Sequence, residues 1–146
     1  MAGEVKVRVM KYKDLEAIVE IDTKVLGRPR PEYWRMKVEL AEKRAMSSLV
    51  AEVGGRVVGF VLGDASGWEY GVPETVGWID TIGVLPEYQK KGIARALMGE
   101  MIANLRKVGV EKIYTLVDWR SWDLLKFFDS LGFKKGEMIN LELEVK

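Results

Sequence analysis

The residues Gln89-Lys90-Lys91-Gly92-Ile93-Ala94-Arg95 are the stretch of the chain best suited to holding an anion. Gly92 and Ala94 carry little or no side chain, so an anion can approach the main chain there, and Lys90, Lys91 and Arg95 add positive charge. Directly after them Leu97, Met98, Met101, Ile102 and Leu105 form an apolar stripe at helical spacing, which places the segment at a helix N-terminus. The first N–H groups of a helix have no partner within it and lie at the positive end of its dipole. The Gly-Lys-Ser/Thr of a kinase-type phosphate loop is missing, and so is the three-glycine dinucleotide pattern. On its own the segment serves equally well as a plain helix-capping loop.

Proton transfer is the second chemistry to place. The chain has no histidine and no cysteine, which removes the commonest neutral-pH base, the commonest metal ligand and all thiol chemistry. Carboxylates, tyrosine, lysine, backbone or water must do the work, and no metal is expected. Asp80 and Asp118 each lie in an apolar strand-like run, where burial would raise the carboxyl pKa toward a useful range. Asp80 reads equally as a strand-end hydrogen-bonding group, and Asp118 as the cap of the helix that follows Trp119-Arg120.

The elements that position these groups follow from periodicity. Val5, Val7 and Val9 alternate with Lys6 and Arg8, giving a half-buried strand. Asp14 to Leu26 reads as a helix stopped by Gly27, and Pro31-Glu32 opens a second running to about Met46. Ser48–Val53 and Arg56–Gly63 flank Gly54-Gly55 as a hairpin. Asp64 to Glu74 is loop-like, Thr75 to Val84 a strand, Lys112 to Asp118 another. A short helix holds Leu124, Leu125, Phe127, Phe128 and Leu131, capped by Gly132, and Phe133–Lys135 and Glu137–Val145 are expected to finish as strands. This order predicts an α/β (α+β) domain spanning residues 1–146, in which about four helices cover a mixed, mostly antiparallel sheet.

Within that order, Ile82-Gly83-Val84-x-Pro86-x-x-Gln89-x-x-Gly92-x-Ala94-x-x-Leu97 resembles the signature of the GNAT superfamily of N-acetyltransferases. Phe127-Phe128-x-x-x-Gly132-Phe133 is similar to the family's second block, and the element order matches over nearly the whole chain. The resemblance implies that Gln89 and Lys90 to Arg95 hold the pyrophosphate of acetyl-coenzyme A. It further implies that Ile82, Gly83 and Val84 pair with pantetheine as with an added strand, where two central strands splay apart. A backbone N–H near Ile82 is then the oxyanion donor. The implied reaction is direct attack of an amine on the thioester, with Asp80 or Asp118 as base.

Three positions depart from the family pattern. Trp78 stands where the family commonly has a glutamate base, Phe128 where it commonly has a tyrosine acid, and Ser121 where it often has asparagine. Ser121 still has a hydroxyl for the cofactor. Tyr114, Tyr88 or water could supply the proton instead.

On the acceptor side the resemblance points to Arg28, Arg30, Tyr33 and Trp34 and to the Trp68-Glu69-Tyr70 loop with Glu74, against the alternative of solvated charge and ordinary packing. Lys and Arg total 23 against 22 Asp and Glu, so a nucleic-acid partner is not expected. No apolar run reaches membrane-spanning length and no signal peptide is apparent at Met1-Ala2-Gly3-Glu4, so a cytoplasmic protein with no membrane partner is expected. The last expected strand, with Leu141, Leu143 and Val145 alternating with Glu142 and Glu144, could pair across a homodimer or form a charge-guarded edge. The competing functional reading is a catalytically weak acyl-CoA-binding module of the same fold.

Overall fold

The computed structural model describes residues 4–43, 48–67 and 75–146. It comprises two compact units, 1–115 and 116–146. The first holds β1 (Val5–Val9), α1 (Leu15–Leu26), α2 (Pro31–Lys43), β2 (Leu49–Val53), β3 (Arg56–Gly67), β4 (Thr75–Val84), α3 (Ile93–Lys107) and β5 (Lys112–Thr115). The second holds α4 (Trp122–Ser130). Among the described residues, no helix is long and apolar enough to cross a membrane.

One five-stranded sheet runs in the order β1-β2-β3-β4-β5. The first three pairings are antiparallel and the last, β4 with β5, is parallel. Gly54 and Gly55 turn the β2–β3 hairpin at φ 59° and 81°, both in the left-handed region that a two-residue turn of this kind requires. That region costs a side chain energy and costs glycine none.

The two faces of the sheet are covered differently. A Cβ on Gly77 would lie 2.9 Å from a Leu105 methyl, and one on Gly59 3.2 Å from Ile93, so α3 lies against bare backbone. Its buried stripe, Ile93, Leu97, Met98, Met101 and Leu105, is the apolar stripe of the sequence. On the other face Ile21 of α1 and Phe60 of β3 lie against Gly83. Trp34 of α2, fully buried, meets the Phe60 ring edge-on at 5.0 Å. Burying such aliphatic and aromatic side chains contributes about 1.5–3 kcal/mol each.

Beside α1, Asp14 is 3% exposed and accepts two bonds from the Arg8 guanidinium, at 2.9 and 2.7 Å, and one from the Lys11 N–H at 2.8 Å. Burial pushes the Asp14 carboxyl up, but the Arg8 and Lys11 bonds outweigh it and hold it below its ordinary value.

The sequence expectation fails at four places. β3 continues past Gly63 to Gly67, because Asp64–Gly67 pair with Thr75–Trp78 despite their loop-like composition. Residues 68–74 of the expected loop lie outside the described residues, as do 44–47, where the second helix was expected to end. β5 stops at Thr115 rather than Asp118. Phe133–Lys135 and Glu137–Val145 are not strands. Alternation marks which face of a strand would be buried, but a strand also needs a partner for its backbone groups. Without one Leu141, Leu143 and Val145 stand 84–85% exposed.

Candidate active site

The candidate anion cradle lies where the chain leaves β4. Leu85 is fully buried and its N–H donates to the Val58 carbonyl (2.8 Å), pinning the exit. A single 3₁₀ turn, Pro86–Tyr88, follows. The Gln89 amide then donates back to the Val84 carbonyl (3.0 Å), bracing the loop on the strand it left. Lys90 (φ 63°) and Gly92 (φ 84°) both adopt left-handed backbone. For Lys90 this is an uncommon conformation that the surrounding structure must impose, of the kind that collects at ligand clamps.

Gly92 is the residue before α3, and its carbonyl accepts from Ala96 (3.0 Å), so the N–H groups of Ile93, Ala94 and Arg95 precede the helical ladder. A Cβ at Gly92 would meet nothing within 4 Å, which leaves open space over the main chain. Ile93 turns its side chain into the core at 2% exposure, while Lys90, Lys91 and Arg95 are exposed. The pieces needed for a pyrophosphate are therefore together: an oriented helix end, an open approach and flanking cations.

The expected splay of two central strands meets a simpler arrangement in the first unit, where β5 is short and its pairing with β4 ends early. Pairing of β4 with β5 covers only Val76–Ile79 against Lys112–Thr115, while β4 runs on to Val84. Which backbone groups face the open side follows from register. Leu85 donates to Val58, so the Gly83–Phe60 and Thr81–Leu62 pairs also exchange bonds across β3 and β4. Ile82 and Val84 therefore aim their N–H and C=O groups away from β3. The Val84 carbonyl is taken by Gln89, which leaves Ile82 and the Val84 N–H facing the side where β5 pairing has ended. Gly83 has a packing reason of its own, since a Cβ there would lie 2.8 Å from the Phe60 ring.

A bulge interrupts β3–β4 pairing between Leu62 and Gly63, and Asp80 is the extra residue. The bulge re-aims its side chain toward α2. There Lys37 Nζ donates to Asp80 Oδ2 at 2.6 Å, and the Asp80 side chain is 38% exposed. The apolar burial expected for Asp80 is thus absent, because a helix cation reaches it instead. The Asp80 hydrogen bond raises the Lys37 pKa against the opposing effect of burial.

Asp118, in the second unit, departs further from expectation. It accepts from the Arg120 guanidinium at 3.1 and 3.0 Å and from the Arg120 N–H at 2.9 Å, on the surface. The Arg120 side-chain bond holds its carboxyl below the ordinary carboxylate range, the opposite of what a base needs. It tethers the turn before α4 and does not cap that helix, since Ser121 stands at the cap position and, among the described residues, no side chain bonds the helix's first N–H groups. Ser121 is the residue before α4 and donates its N–H to the Asp118 carbonyl (2.8 Å). Phe128 is 4% exposed between the rings of Phe127 (5.3 Å) and Phe133 (5.0 Å), the small core of that unit.

The acceptor-side expectations divide. Arg30 spends two donors on Asp22 at 3.0 Å each and lies over the Tyr33 ring at 4.5 Å. Trp34 is core, with its indole nitrogen buried and unpartnered among the described residues. Trp78 leans on Tyr114 with ring centroids 5.1 Å apart. Trp68, Glu69, Tyr70 and Glu74 fall outside the described residues. Lys37 was missed by sequence reasoning, because one lysine on an amphipathic helix gives no sign of which strand residue it will meet.

The sequence model of the acetyltransferase (GNAT) family matches residues 15–133, and the chain belongs to that family. An N-alpha-acetyltransferase of Saccharolobus solfataricus is 27% identical over 139 residues, covering 90% of this chain and 81% of that one. Among solved structures, the aminoglycoside N-acetyltransferase AAC(6')-Iy in complex with CoA superposes with a TM-score of 0.83 at 16% identity, covering 99% of this chain and 96% of that chain. A ribosomal-protein-alanine N-acetyltransferase from Brucella melitensis gives a TM-score of 0.78 at 20% identity, covering 97% and 100%. These two likenesses establish the fold, a mixed sheet flanked by helices.

Proposed function

We propose that this acetyltransferase-family chain transfers the acetyl group of acetyl-CoA directly to a primary amine of a small molecule, an amino acid or a peptide. The observation that carries the reading is the length of β4 beyond its β5 pairing, with Ile82 and the Val84 N–H aimed away from β3, leading straight into the proposed Gln89–Arg95 cradle. Backbone groups without a strand partner are costly unless something fills them, and an extended pantetheine has the amides to do so. In this reading the α3 N-terminus, with Lys90, Lys91 and Arg95, holds the pyrophosphate. The Ile82 N–H stabilises the oxyanion, and Asp80 takes the proton from the attacking amine. The thioester supplies an activated acyl group whose thiolate can leave without obligatory protonation. That suits a chain with Phe128 at the family's tyrosine position. The name of the S. solfataricus relative, an N-alpha-acetyltransferase, favours an α-amino group among the acceptors.

The test is thermal unfolding with and without acetyl-CoA, followed by a thiol-release assay against short peptides with free N-terminal Ala, Ser or Met and a panel of small amines. Ligand at 100 times its dissociation constant contributes about 2.7 kcal/mol, or roughly 8 °C in a chain of this size. No shift would refute cofactor binding. A shift without thiol release from any acceptor would favour the acyl-CoA-binding module, which the Lys37-occupied Asp80 and the packed Phe128 make the second reading.

A further inference from the structure

The chain carries an amine of its own in the place where an acceptor amine would be expected. Lys37 Nζ sits 2.6 Å from Asp80 Oδ2 and 5.6 Å from the centroid of the Tyr33 ring. A carboxylate with an aromatic ring is the usual chemistry of an ammonium-binding site. Three features of the first unit bring it to the proposed acetyl-CoA edge. The bulge turns Asp80 toward α2. Asp80 is the first residue of β4 beyond the β5 pairing. It also lies two residues from Ile82, a separation of at most about 7 Å along a strand.

The geometry points to Lys37 as a site of self-acetylation in cis. This rests on the reading of β4 as the acetyl-CoA edge and of Asp80 as base. In the step, a proton passes from the Lys37 ammonium to Asp80, and the freed Nζ lone pair attacks the acetyl carbonyl. The carbonyl oxygen is held by the Ile82 N–H, the C–S bond breaks, and the coenzyme A thiolate leaves and takes up a proton. The products are Nζ-acetyl-Lys37, coenzyme A thiol and one released proton, with no further reactant. The modification also removes the positive charge that occupies Asp80, opening that carboxylate to an external amine.

The experiment incubates the purified chain with acetyl-CoA and no acceptor. Acetylation is followed at each lysine by peptide mass spectrometry, with acetyl-CoA binding measured on the same samples by thermal shift. Lys6, on the exposed side of β1, reports the uncatalysed background. Lys37 is expected to acetylate about tenfold or more faster than Lys6, as proximity predicts. Its first-order rate constant should not depend on protein concentration. Asp80→Asn and Gly92→Glu should slow Lys37 but not Lys6, and Lys37→Arg should remove the modified peptide.

If acetyl-CoA stabilises the protein while Lys37 reacts no faster than Lys6, the inference is overturned and the cofactor reading stands. A Lys37 rate proportional to protein concentration overturns the step in cis. If acetyl-CoA gives no stabilisation, both readings fall together.

Discussion

Replacing Gly92 by glutamate separates what this residue does for the fold from what it does for an anion. In the free protein a Cβ at Gly92 meets nothing within 4 Å, so the only steric cost is that of a side chain at φ 84°. That cost is about 1–2 kcal/mol, or roughly 3–6 °C in melting temperature. Gly92→Gln carries the same backbone penalty and similar bulk without the charge. The difference between the two variants therefore isolates electrostatics at the cradle. Two unit charges 4 Å apart interact by about 4 kcal/mol at an effective dielectric of 20, and by about 2 kcal/mol at 8 Å.

Glu at this position is thus expected to bind coenzyme A about 30- to 1,000-fold more weakly than Gln. Gln itself should be weakened by the lost close approach. Isothermal titration with coenzyme A and with dephospho-coenzyme A, at low and high salt, reads the effect. The Glu–Gln gap should narrow as salt rises. Equal affinity of Glu, Gln and wild type would refute the cradle. An effect confined to melting temperature, with affinities unchanged, would reduce Gly92 to a turn residue.

Two further outcomes test the fold beneath the site. Asp14→Asn removes the buried partner of Arg8 and should cost about 2–3 kcal/mol at pH 7, lowering the melting temperature by roughly 6–9 °C. Because the folded-state Asp14 pKa is depressed, the wild-type advantage is fully present above the unfolded value of about 3.9 and disappears as pH falls through the folded value. Melting curves of the two proteins should therefore converge in acid, and a gap that stays constant down to that range would refute the pairing. Gly83→Ala places a Cβ 2.8 Å from a buried Phe60 ring that meets Trp34 edge-on, and should destabilise by about 1–3 kcal/mol. Phe60→Leu in the same chain should recover part of that loss, and strictly additive effects would show that the ring is not what demands glycine there.

The sequence by itself determined the elements whose pattern is local. Gly54-Gly55 specified the hairpin, because few other residues tolerate both left-handed positions. The stripe Leu97–Leu105 specified α3 and the face it buries. The run Gln89–Arg95 specified the turn and helix start at which the cradle is proposed, because backbone there needs only small neighbours and a turn. Tertiary structure decided whatever depends on a partner distant in sequence. Asp64–Gly67 became strand only by meeting Thr75–Trp78, and Glu137–Val145, with the right alternation, did not become one. The two carboxylates were separated in the same way. In the sequence Asp80 and Asp118 look alike, each a lone acid in an apolar run. A bulge gave Asp80 to Lys37 of α2, while a turn gave Asp118 to Arg120 two residues away. A carboxylate's partners and reach are set by the cations that fold against it, and periodicity carries no record of those.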